Sequence, residues 1–347
     1  MTVGSISHQN GGRGTVGQQT GSTKLERQIR SQPDELDRLL SDPRTREQVH
    51  AAAEGLHRVR RIWVVGTGTS LHAAHLAAAM LQDAGRSAHA VSSMQFVRNA
   101  PIVGPHDGVV VITHTGETAY ALAARALAFS AGLQTFTICR AGLGLNDIVE
   151  TVEKESSETY TVSYTAALLA LAMIASQMGA ESITADKLAL VPGSVRNAIE
   201  ASNTEGIPMP SRMLTITGAG HAAITAREGA LKVREAARQL AEGYDAEYLL
   251  HGTAVPLTSQ DRLVALTSSD EDGFVEALAR AAEGEGVPTS RLAEPAPLPP
   301  LLAQIPFAVR LQVLALRFAL ERGQDPDKVI VGQWDDPALW SIGTPGT

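Results

Sequence analysis

The stretch RRIWVVGTGTSLHAAHLAAAM, residues 60–80, decides the fold class, because a short apolar strand enters an Ala-rich helix through a turn of glycine and hydroxyl residues. The alternation continues with the apolar runs SAHAVS (87–92), GVVVITH (108–114) and LQTFTIC (133–139), and with helices from about Ser70, Glu117 and Tyr164. Near-continuous apolar strands that alternate with helices are typical of a parallel sheet covered on both faces. We therefore predict a doubly wound α/β fold.

A second strand–turn–helix pattern begins with RMLTITGAG at 212–220 and continues with RLVALTSSD at 262–270 and FVEALARAA at 274–282. A shift of 152 residues superposes Gly66 and Gly68 on Gly218 and Gly220, which is typical of a tandem duplication. We predict a disordered tail at 1–23, a first domain at 24–190 and a second domain at 191–347. Each domain is expected to be a parallel β-sheet flanked by helices.

Proline and glycine positions predict where helices end. Pro33 interrupts the periodic segment LERQIRSQPDELDRLL (25–40), so a helix, a break and a new helix are expected there. The helix that contains REGALKVREAARQLAEG is expected to end near Gly243. The Pro-rich run at 294–306 is expected to lead into a last helix, FAVRLQVLALRFALERG, from Phe307.

Composition excludes several classes of function. The chain has 347 residues, 44% of them hydrophobic, and a formal charge of -8 without a basic stripe, which argues against nucleic-acid binding. Cys139 is the only cysteine, so an intrachain disulfide and a cysteine-based metal site are excluded. The longest apolar run, near Ala166–Ala175, falls short of a membrane span of roughly 18 residues. A cytoplasmic protein that needs neither metal nor cofactor is expected.

Two hydroxyl-rich turns lie where a strand enters a helix: GTGTS at 66–70 and THTGET at 113–118. Backbone N–H groups and the helix dipole favour an anion at such positions. Either turn taken singly is also compatible with ordinary helix capping. Together they predict an anion site made of Gly68, Thr69, Ser70, Thr113, His114, Thr115 and Thr118. The second half has Thr267-Ser268-Ser269-Asp270 in place of THTG, so only the first half is expected to bind an anion.

The helix REGALKVREAARQLAEG carries acids and a base on one face. Glu228, Lys232 and Glu235 are spaced by four and three residues, which places them within about 60° of one another on a helix. Such residues are ordinarily a solvated ion pair. His251, in the turn LLHG, follows 16 residues after Glu235 and can approach a ligand closely. The set predicts proton transfer on a small polar molecule.

These motifs together resemble the sugar isomerase (SIS) family, in particular the tandem-SIS isomerase half of glucosamine-6-phosphate synthase and its relatives without a glutaminase domain. The resemblance covers Lys24 to Asp336 and rests on IRSQP, GTGTS, THTGET, EGALKVRE and the His-Gly turn. It implies that Thr69, Ser70, Thr113, Thr115 and Thr118 bind a sugar phosphate. It also implies that Glu235 moves a proton between C1 and C2, that Lys232 positions the sugar oxygens, and that His251, from the neighbouring subunit, assists ring opening.

Three departures from the family pattern bear on its chemistry. The lysine that forms a Schiff base in synthase-type relatives corresponds to a position near Trp334, whereas the tail lysine here is Lys328. Thr253 follows the His-Gly pair where the family has proline. His114 stands where the family has glutamine, so it is either a strand-end residue or a contact to another anion such as a sulfonate.

The resemblance and the residues together predict an aldose–ketose isomerase that acts on a hexose or amino hexose with a terminal phosphate or sulfonate, through an enediol. Its partner is expected to be this small molecule, in a homodimer with shared active sites. The alternatives are an amino-sugar-phosphate deaminase or deglycase and a non-catalytic sugar-phosphate-binding protein. A nicotinamide-dependent oxidoreductase is disfavoured because GTGTS lacks the full GxGxxG and SAHAVSS has no acidic residue at its end.

Overall fold

A computed structural model describes residues 22–99, 103–267, 273–293 and 298–345. The predicted disordered tail thus lies almost wholly outside the described residues. The first half consists of α1 (Lys24–Ser41), α2 (Pro43–His57), β1 (Arg61–Gly66), α3 (Thr69–Asp83), β2 (Ser87–Ser92), α4 (Ser93–Arg98), β3 (Asp107–Ile112), α5 (Ala119–Ser130), β4 (Gln134–Cys139), β5 (Ile148–Glu150), α6 (Val162–Gln177), α7 (Ala185–Leu188) and α8 (Val191–Glu200).

The second half consists of β6 (Met213–Gly218), α9 (His221–Ala237), β7 (Leu240–Asp245), α10 (Ala246–Tyr248), β8 (Arg262–Thr267), α11 (Phe274–Gly284), β9 (Thr289–Ala293), α12 (Pro300–Glu321) and α13 (Pro337–Ser341). A π-helical turn at Leu249–Thr253 follows α10, and a short 3-10 helix at Gly332–Trp334 precedes α13.

Two parallel sheets confirm the predicted fold class. The first has the strand order β2-β1-β3-β4-β5 and the second β7-β6-β8-β9. In the first sheet Val64 lies opposite Ala90 on one side and Val110 on the other. Every residue of β3 is buried, as its unbroken apolar run predicts. The shared strand order means that each half places its first strand between the next two strands of that half.

The glycine that precedes the first helix after the first strand has the same backbone conformation in both halves. Gly68 has φ 54° and ψ −131° before α3, and Gly220 has φ 54° and ψ −122° before α9. A side chain is disfavoured at positive φ. The spacing of 152 residues between these glycines therefore marks structurally equivalent strand-to-helix turns.

Helices α1 and α12 each contribute residues to the cores of both halves. Leu25 and Ile29 of α1 pack in the core of the second half, whereas Leu301, Leu302 and Val309 of α12 pack in the core of the first. Helix α6 is buried on nearly all sides. By length and composition, helix α12 is long and apolar enough to cross a membrane, contrary to the expectation that no segment is. However, 83% of its most apolar window is buried inside the protein. This burial is what a core helix shows.

The predicted break at Pro33 is wrong, because α1 continues through it from Lys24 to Ser41. Proline cannot donate to the carbonyl four residues earlier, which here is that of Ile29. The side-chain amide of Gln32 donates to this carbonyl at 3.2 Å instead. Pro33 itself is buried, so its ring adds to the apolar face of the helix.

The predicted end of the Glu228 helix near Gly243 is also wrong. Helix α9 ends at Ala237, Arg238 takes a left-handed conformation, and Leu240–Asp245 form β7, parallel to β6. The guanidinium of Arg238 donates to the backbone carbonyl of Lys328 at 2.8 Å, which holds this conformation from the C-terminal tail. A Cβ at Gly243 would lie 2.4 Å from the Arg227 Cα, so glycine lets the strand pack closely on α9.

The last helix begins earlier than predicted. Helix α12 starts at Pro300 and contains Pro306, although the proline-rich run led us to expect a start at Phe307. Pro300 occupies the first helical turn, where the missing N–H has no partner to lose. Pro306 and its neighbours are buried, so packing of the apolar face outweighs the lost backbone hydrogen bond.

We predict that Gly229→Ala destabilises the protein, because the added Cβ would lie 2.3 Å from Leu311 Cδ1 and 2.9 Å from Leu311 Cβ on α12. Overpacking of this kind costs about 1–3 kcal/mol of unfolding free energy. Urea unfolding measures the change. The matched control is Gly193→Ala in α8, where an added Cβ meets nothing within 4 Å. Equal unfolding free energies for the two variants would contradict close packing of α9 on α12.

Candidate active site

A cavity of about 250 Å³ lies at the carboxyl ends of the first sheet. The first turn of α3, the turn after β3 and the start of α6 surround it, and α9 of the second half contributes Glu235. The lining residues are Thr67, Gly68, Thr69, Ser70, Ala73, Ile112, His114, Thr115, Thr118, Ile138, Cys139, Thr151, Tyr160, Ser163, Tyr164, Ala167 and Glu235. A parallel sheet ordinarily binds its ligand at this edge.

The cavity contains most of the predicted anion site. Gly68, Thr69, Ser70, His114, Thr115 and Thr118 all line it. Thr113 does not: it is 2% exposed, and its hydroxyl has no hydrogen-bond partner among the described residues. Lys232 and His251 are also absent from the lining, so Glu235 alone of the three predicted catalytic side chains reaches the cavity wall.

The hydroxyl groups of the two turns differ in whether their protons are free to form a hydrogen bond with a ligand. Thr69 Oγ1 donates to Glu228 Oε1 at 3.2 Å, so its proton is already engaged. Thr115 Oγ1 accepts from the Glu117 N–H at 3.1 Å and keeps its own proton for donation. Thr118 precedes α5 and makes no side-chain capping bond. Donation to an anion is therefore most direct from Thr115 and Thr118.

His114 is an uncharged donor at the cavity wall. Burial, with Arg140 and Lys154 nearby, lowers its pKa from 6.5 to about 4. The backbone N–H of Glu155 donates to Nε2 at 3.2 Å, so Nε2 carries no proton and Nδ1 does. Nδ1 is buried and has no partner among the described residues. His114 lines the cavity, so we count this N–H among the candidate donors to a ligand.

The acid–base side chains of α9 are buried where α9 meets α3. Glu228 is 0% exposed and Lys232 is 1% exposed, which overturns the ordinary expectation of a solvated ion pair. Lys232 Nζ lies 2.5 Å from Glu235 Oε2 and 3.6 Å from Glu228 Oε1. The ammonium makes its hydrogen bond to Glu235, and Glu228 accepts hydrogen bonds from Thr69 and His72 of α3.

Burial and charge oppose each other in this cluster. Desolvation acts against the charged form of Lys232, but Glu235 and Glu228 outweigh it, and the pKa of Lys232 is raised. Desolvation also raises the pKa of Glu235, although Lys232 opposes this shift. A carboxylate with a raised pKa is a stronger base, and a permanently charged ammonium beside it keeps it ionised near neutral pH.

His251 lies outside the cavity, on the π-helical turn after α10. Its side chain is 71% exposed, and its Nε2 lies 4.0 Å from a carboxylate oxygen of Glu247. Gly252 has φ 108°, which places a kink beside the histidine. Tyr248, Leu250 and Val255 nearby are exposed large apolar side chains. Within one chain, the structure thus does not bring His251 to Glu235.

Several lining residues were not predicted. Tyr160, Ser163 and Tyr164 come from the start of α6 and the residues just before it, and Cys139 and Thr151 come from the end of β4 and the segment after β5. Glu155 is fully buried and accepts from the Thr161 and Ser163 N–H groups. The polar run ETYTVSYT before the apolar part of α6 could have indicated this wall, because polar residues there lead into a buried helix.

Lys328 is exposed and does not line the cavity. The tail around it is held by its neighbour Asp327, whose carboxylate accepts from the Lys24 and Leu25 N–H groups at 2.8 and 2.7 Å. Among the residues that the structure describes, no three His, Cys, Asp or Glu side chains are grouped as metal ligands. Residues 268–270, where the second half departs from the THTG pattern, lie outside the described residues.

A comparison with known families matches part of the first half. Residues 55–177, which contain β1 to β5, match the family model of the SIS domain. The glutamine–fructose-6-phosphate aminotransferase (isomerizing) of Bacteroides thetaiotaomicron is 26% identical over 320 residues, which cover 79% of this chain and 51% of that protein. The chain spans about half the length of the curated relatives it matches.

Solved structures share the fold of most of the chain. Tagatose-6-phosphate ketose/aldose isomerase from Escherichia coli superposes with a TM-score of 0.75 at 20% identity, over 89% of this chain and 96% of that one. Glucosamine-6-phosphate deaminase from Thermotoga maritima superposes with a TM-score of 0.71 at 18% identity, over 88% and 97% of the two chains. At such identities the similarity establishes the architecture alone.

We predict that Cys139 is unreactive in the folded protein although it lines the cavity. Burial raises the pKa of its thiol to about 12, and the thiolate is the form that reacts. Native protein at pH 8 should therefore react very slowly with Ellman's reagent. The same protein in guanidinium chloride serves as the control and should react at once, with one thiol per chain. Equally rapid reaction of both samples would contradict the burial of Cys139.

Proposed function

We propose that this protein is an aldose–ketose isomerase that acts on a hexose or amino hexose with a terminal phosphate or a similar anion such as a sulfonate. The observation that carries the proposal is that Glu235, a carboxylate bonded to a buried ammonium, lines the same cavity as the hydroxyl-rich turns. A base and an anion site in one cavity suit a sugar that carries its charge at the end remote from the reacting carbons.

We assign the anion to the wall formed by the start of α3 and the turn after β3. The start of α3 contributes the helix dipole and the Ser70 hydroxyl, Thr115 and Thr118 contribute hydroxyl protons, and His114 contributes its Nδ1–H. Each of these donors is uncharged, so the site binds an anion through hydrogen bonds. A sulfonate and a phosphate both have oxygens that accept such bonds, and the choice between them belongs to the experiment.

Glu235 would carry the proton. Its ionised carboxylate removes the proton from C2, next to the C1 carbonyl of the aldose, which gives an enediolate with its charge on O1. The proton of the C2 hydroxyl passes to O1, and the protonated Glu235 returns its proton to C1, which leaves the ketone at C2. Lys232 holds the carboxylate at 2.5 Å and stabilises its charged form. General acid–base catalysis of this kind contributes about 10² to 10⁴-fold in rate.

A homodimer would complete the site in this proposal. His251 is exposed beside the apolar side chains of Tyr248, Leu250 and Val255, and an exposed apolar patch favours an interface. A second copy that covers this patch could place its own His251 at the first copy's cavity, where it would assist ring opening. We also assign residues 24–190 and 191–347 as two SIS domains, the second on the basis of its shared strand order and glycine turn.

A deaminase is the second candidate, because the solved structure of a glucosamine-6-phosphate deaminase has the same two-sheet architecture. It would use the same cavity and base, but it would release ammonia. The two candidates therefore differ in what becomes of the nitrogen of an amino-sugar substrate.

The experiment is proton NMR in D2O with a panel of 6-phospho and 6-sulfo hexoses and amino hexoses. We expect deuterium to enter at C1 or C2 with the appearance of the matching ketose or aldose. Glu235→Gln should abolish this exchange while it leaves ligand binding within a few-fold of the wild type, because glutamine keeps the size of the side chain and loses the base.

Calorimetry on the Glu235→Gln variant and the wild-type protein with the same ligand provides the binding measurement. Exchange in the variant at the wild-type rate would eliminate Glu235 as the base. Ammonia release by the wild type would favour the deaminase, and binding without exchange anywhere in the panel would favour a sugar-phosphate-binding protein.

The raised pKa of Glu235 predicts the pH dependence of the isomerase. The base must be ionised, so activity falls as the pH falls through this pKa. We expect the acid limb of kcat/KM to lie above about pH 4.3, where an ordinary glutamate titrates. Unfolding curves over the same pH range provide the control for intact protein. An acid limb at or below that of an ordinary glutamate would contradict the desolvation of Glu235.

A further inference from the structure

His72 is a titratable side chain that the sequence analysis did not single out and that does not line the cavity. It lies one turn after Thr69 on α3 and faces α9, with Nδ1 2.7 Å from Glu228 Oε2. A carboxylate can only accept, so Nδ1 carries the proton and donates it. Its side chain is 17% exposed and that of Glu228 is 1% exposed, so water screens this bond poorly.

The two oxygens of Glu228 are both held by α3. Oε2 accepts from His72, and Oε1 accepts from Thr69 Oγ1 at 3.2 Å. Lys232 Nζ stays 3.6 Å from Oε1 and makes its hydrogen bond to Glu235 at 2.5 Å. Lys232 is thus shared unequally between two carboxylates. Its shorter contact is to Glu235, which has fewer other hydrogen-bond partners than Glu228.

We propose that His72 is a positioning residue for the base Glu235: it holds the carboxylate of Glu228, so that the ammonium of Lys232 remains on Glu235. The inference rests on the proposed role of Glu235. Without His72, Glu228 is a buried carboxylate short of donors, and Lys232 is the cation beside it. Lys232 then moves toward Glu228, and Glu235 holds its own proton more tightly.

Other charged and titratable groups surround this pair and stay unchanged in the test. Helix α3 contributes His75, which interacts with Arg227 of α9. Tyr164 of α6 interacts with Glu228, and Glu155, ahead of α6, interacts with Lys232. A phenol and a carboxyl group carry no positive charge, and neither side chain donates a hydrogen bond to Glu228 among the described residues, so Thr69 and His72 are its donors on α3.

The test is a double-mutant cycle of His72→Leu and Glu228→Gln, read in the acid limb of kcat/KM. His72→Leu should move the acid limb upward by about one pH unit, because loss of a donor to a neighbouring carboxylate disfavours the ionised base. In the Glu228→Gln background the same replacement should cause little further movement. His75→Gln, one turn along α3 and exposed, is the matched control and should keep the wild-type acid limb.

A second variant keeps the test readable if the leucine protein does not fold. His72→Asn retains an N–H donor near the position of Nδ1, so it should move the acid limb in the same direction by less. A uniform loss of kcat/KM at every pH, or an equal shift in the Glu228→Gln background, would overturn the proposal, because a merely structural role predicts either result.

Urea unfolding of the four proteins of the cycle distinguishes this inference from the proposed function. The urea midpoint of His72→Leu should be lower than that of the wild type. The same replacement should lower the midpoint much less in the Glu228→Gln background. Both results are expected whether or not the protein is an isomerase. Absence of isotope exchange in the wild type would defeat the proposed function and with it the role toward Glu235. Additive midpoint changes would defeat the coupling between His72 and Glu228 even if the wild type is active.

Discussion

The ion pair between Lys232 and Glu235 is the interaction on which the rest of the site depends, because Lys232 leaves water where α9 packs beside α3, whereas Glu235 stays 20% exposed at the cavity. A buried charge is costly unless it is paired and hydrogen-bonded. The ammonium is therefore held by two carboxylates of its own helix, and the second carboxylate is held in turn by Thr69 and His72 from α3. In the proposed isomerase, the second half of the chain contributes the base, and the first half holds the carboxylate next to it.

In the proposed function, anion recognition and proton transfer belong to different walls of the cavity. Its wall at the ends of β1 and β3 presents hydroxyl and N–H donors, including the neutral imidazole of His114. Helix α9 contributes Glu235 to the same cavity. Because these donors are uncharged, Lys232 is the group that stabilises the charged form of the proposed base Glu235. Anion binding and proton transfer then come from different helices rather than from one mixed cluster. Helix α6, buried on nearly all sides, contributes Ser163 and Tyr164 to the wall and gives the cavity a rigid boundary.

Local rules failed at two places where side-chain hydrogen bonds affect the course of a helix. Pro33 does not break α1 because the Gln32 amide takes the carbonyl of Ile29. Helix α9 stops at Ala237 rather than near Gly243 because Arg238 is held by tail carbonyls and the following residues pair with β6. Neither hydrogen bond can be read from the local sequence. The first depends on the side-chain rotamer of Gln32, and the second joins Arg238 to Lys328, 90 residues away.

The sequence by itself determined the alternating strands and helices, the equivalent glycine turns at Gly68 and Gly220, and the presence of hydroxyl turns and an acid–base helix, because these follow from short-range periodicity and backbone sterics. Only the tertiary structure decided that Glu235 reaches the cavity while Lys232 does not, that Thr113 is left out of the cavity lining, and that His72 holds Glu228. Burial and hydrogen-bond partners depend on which helices meet, and residues 159 apart in the chain, Thr69 and Glu228, meet only once both sheets are packed.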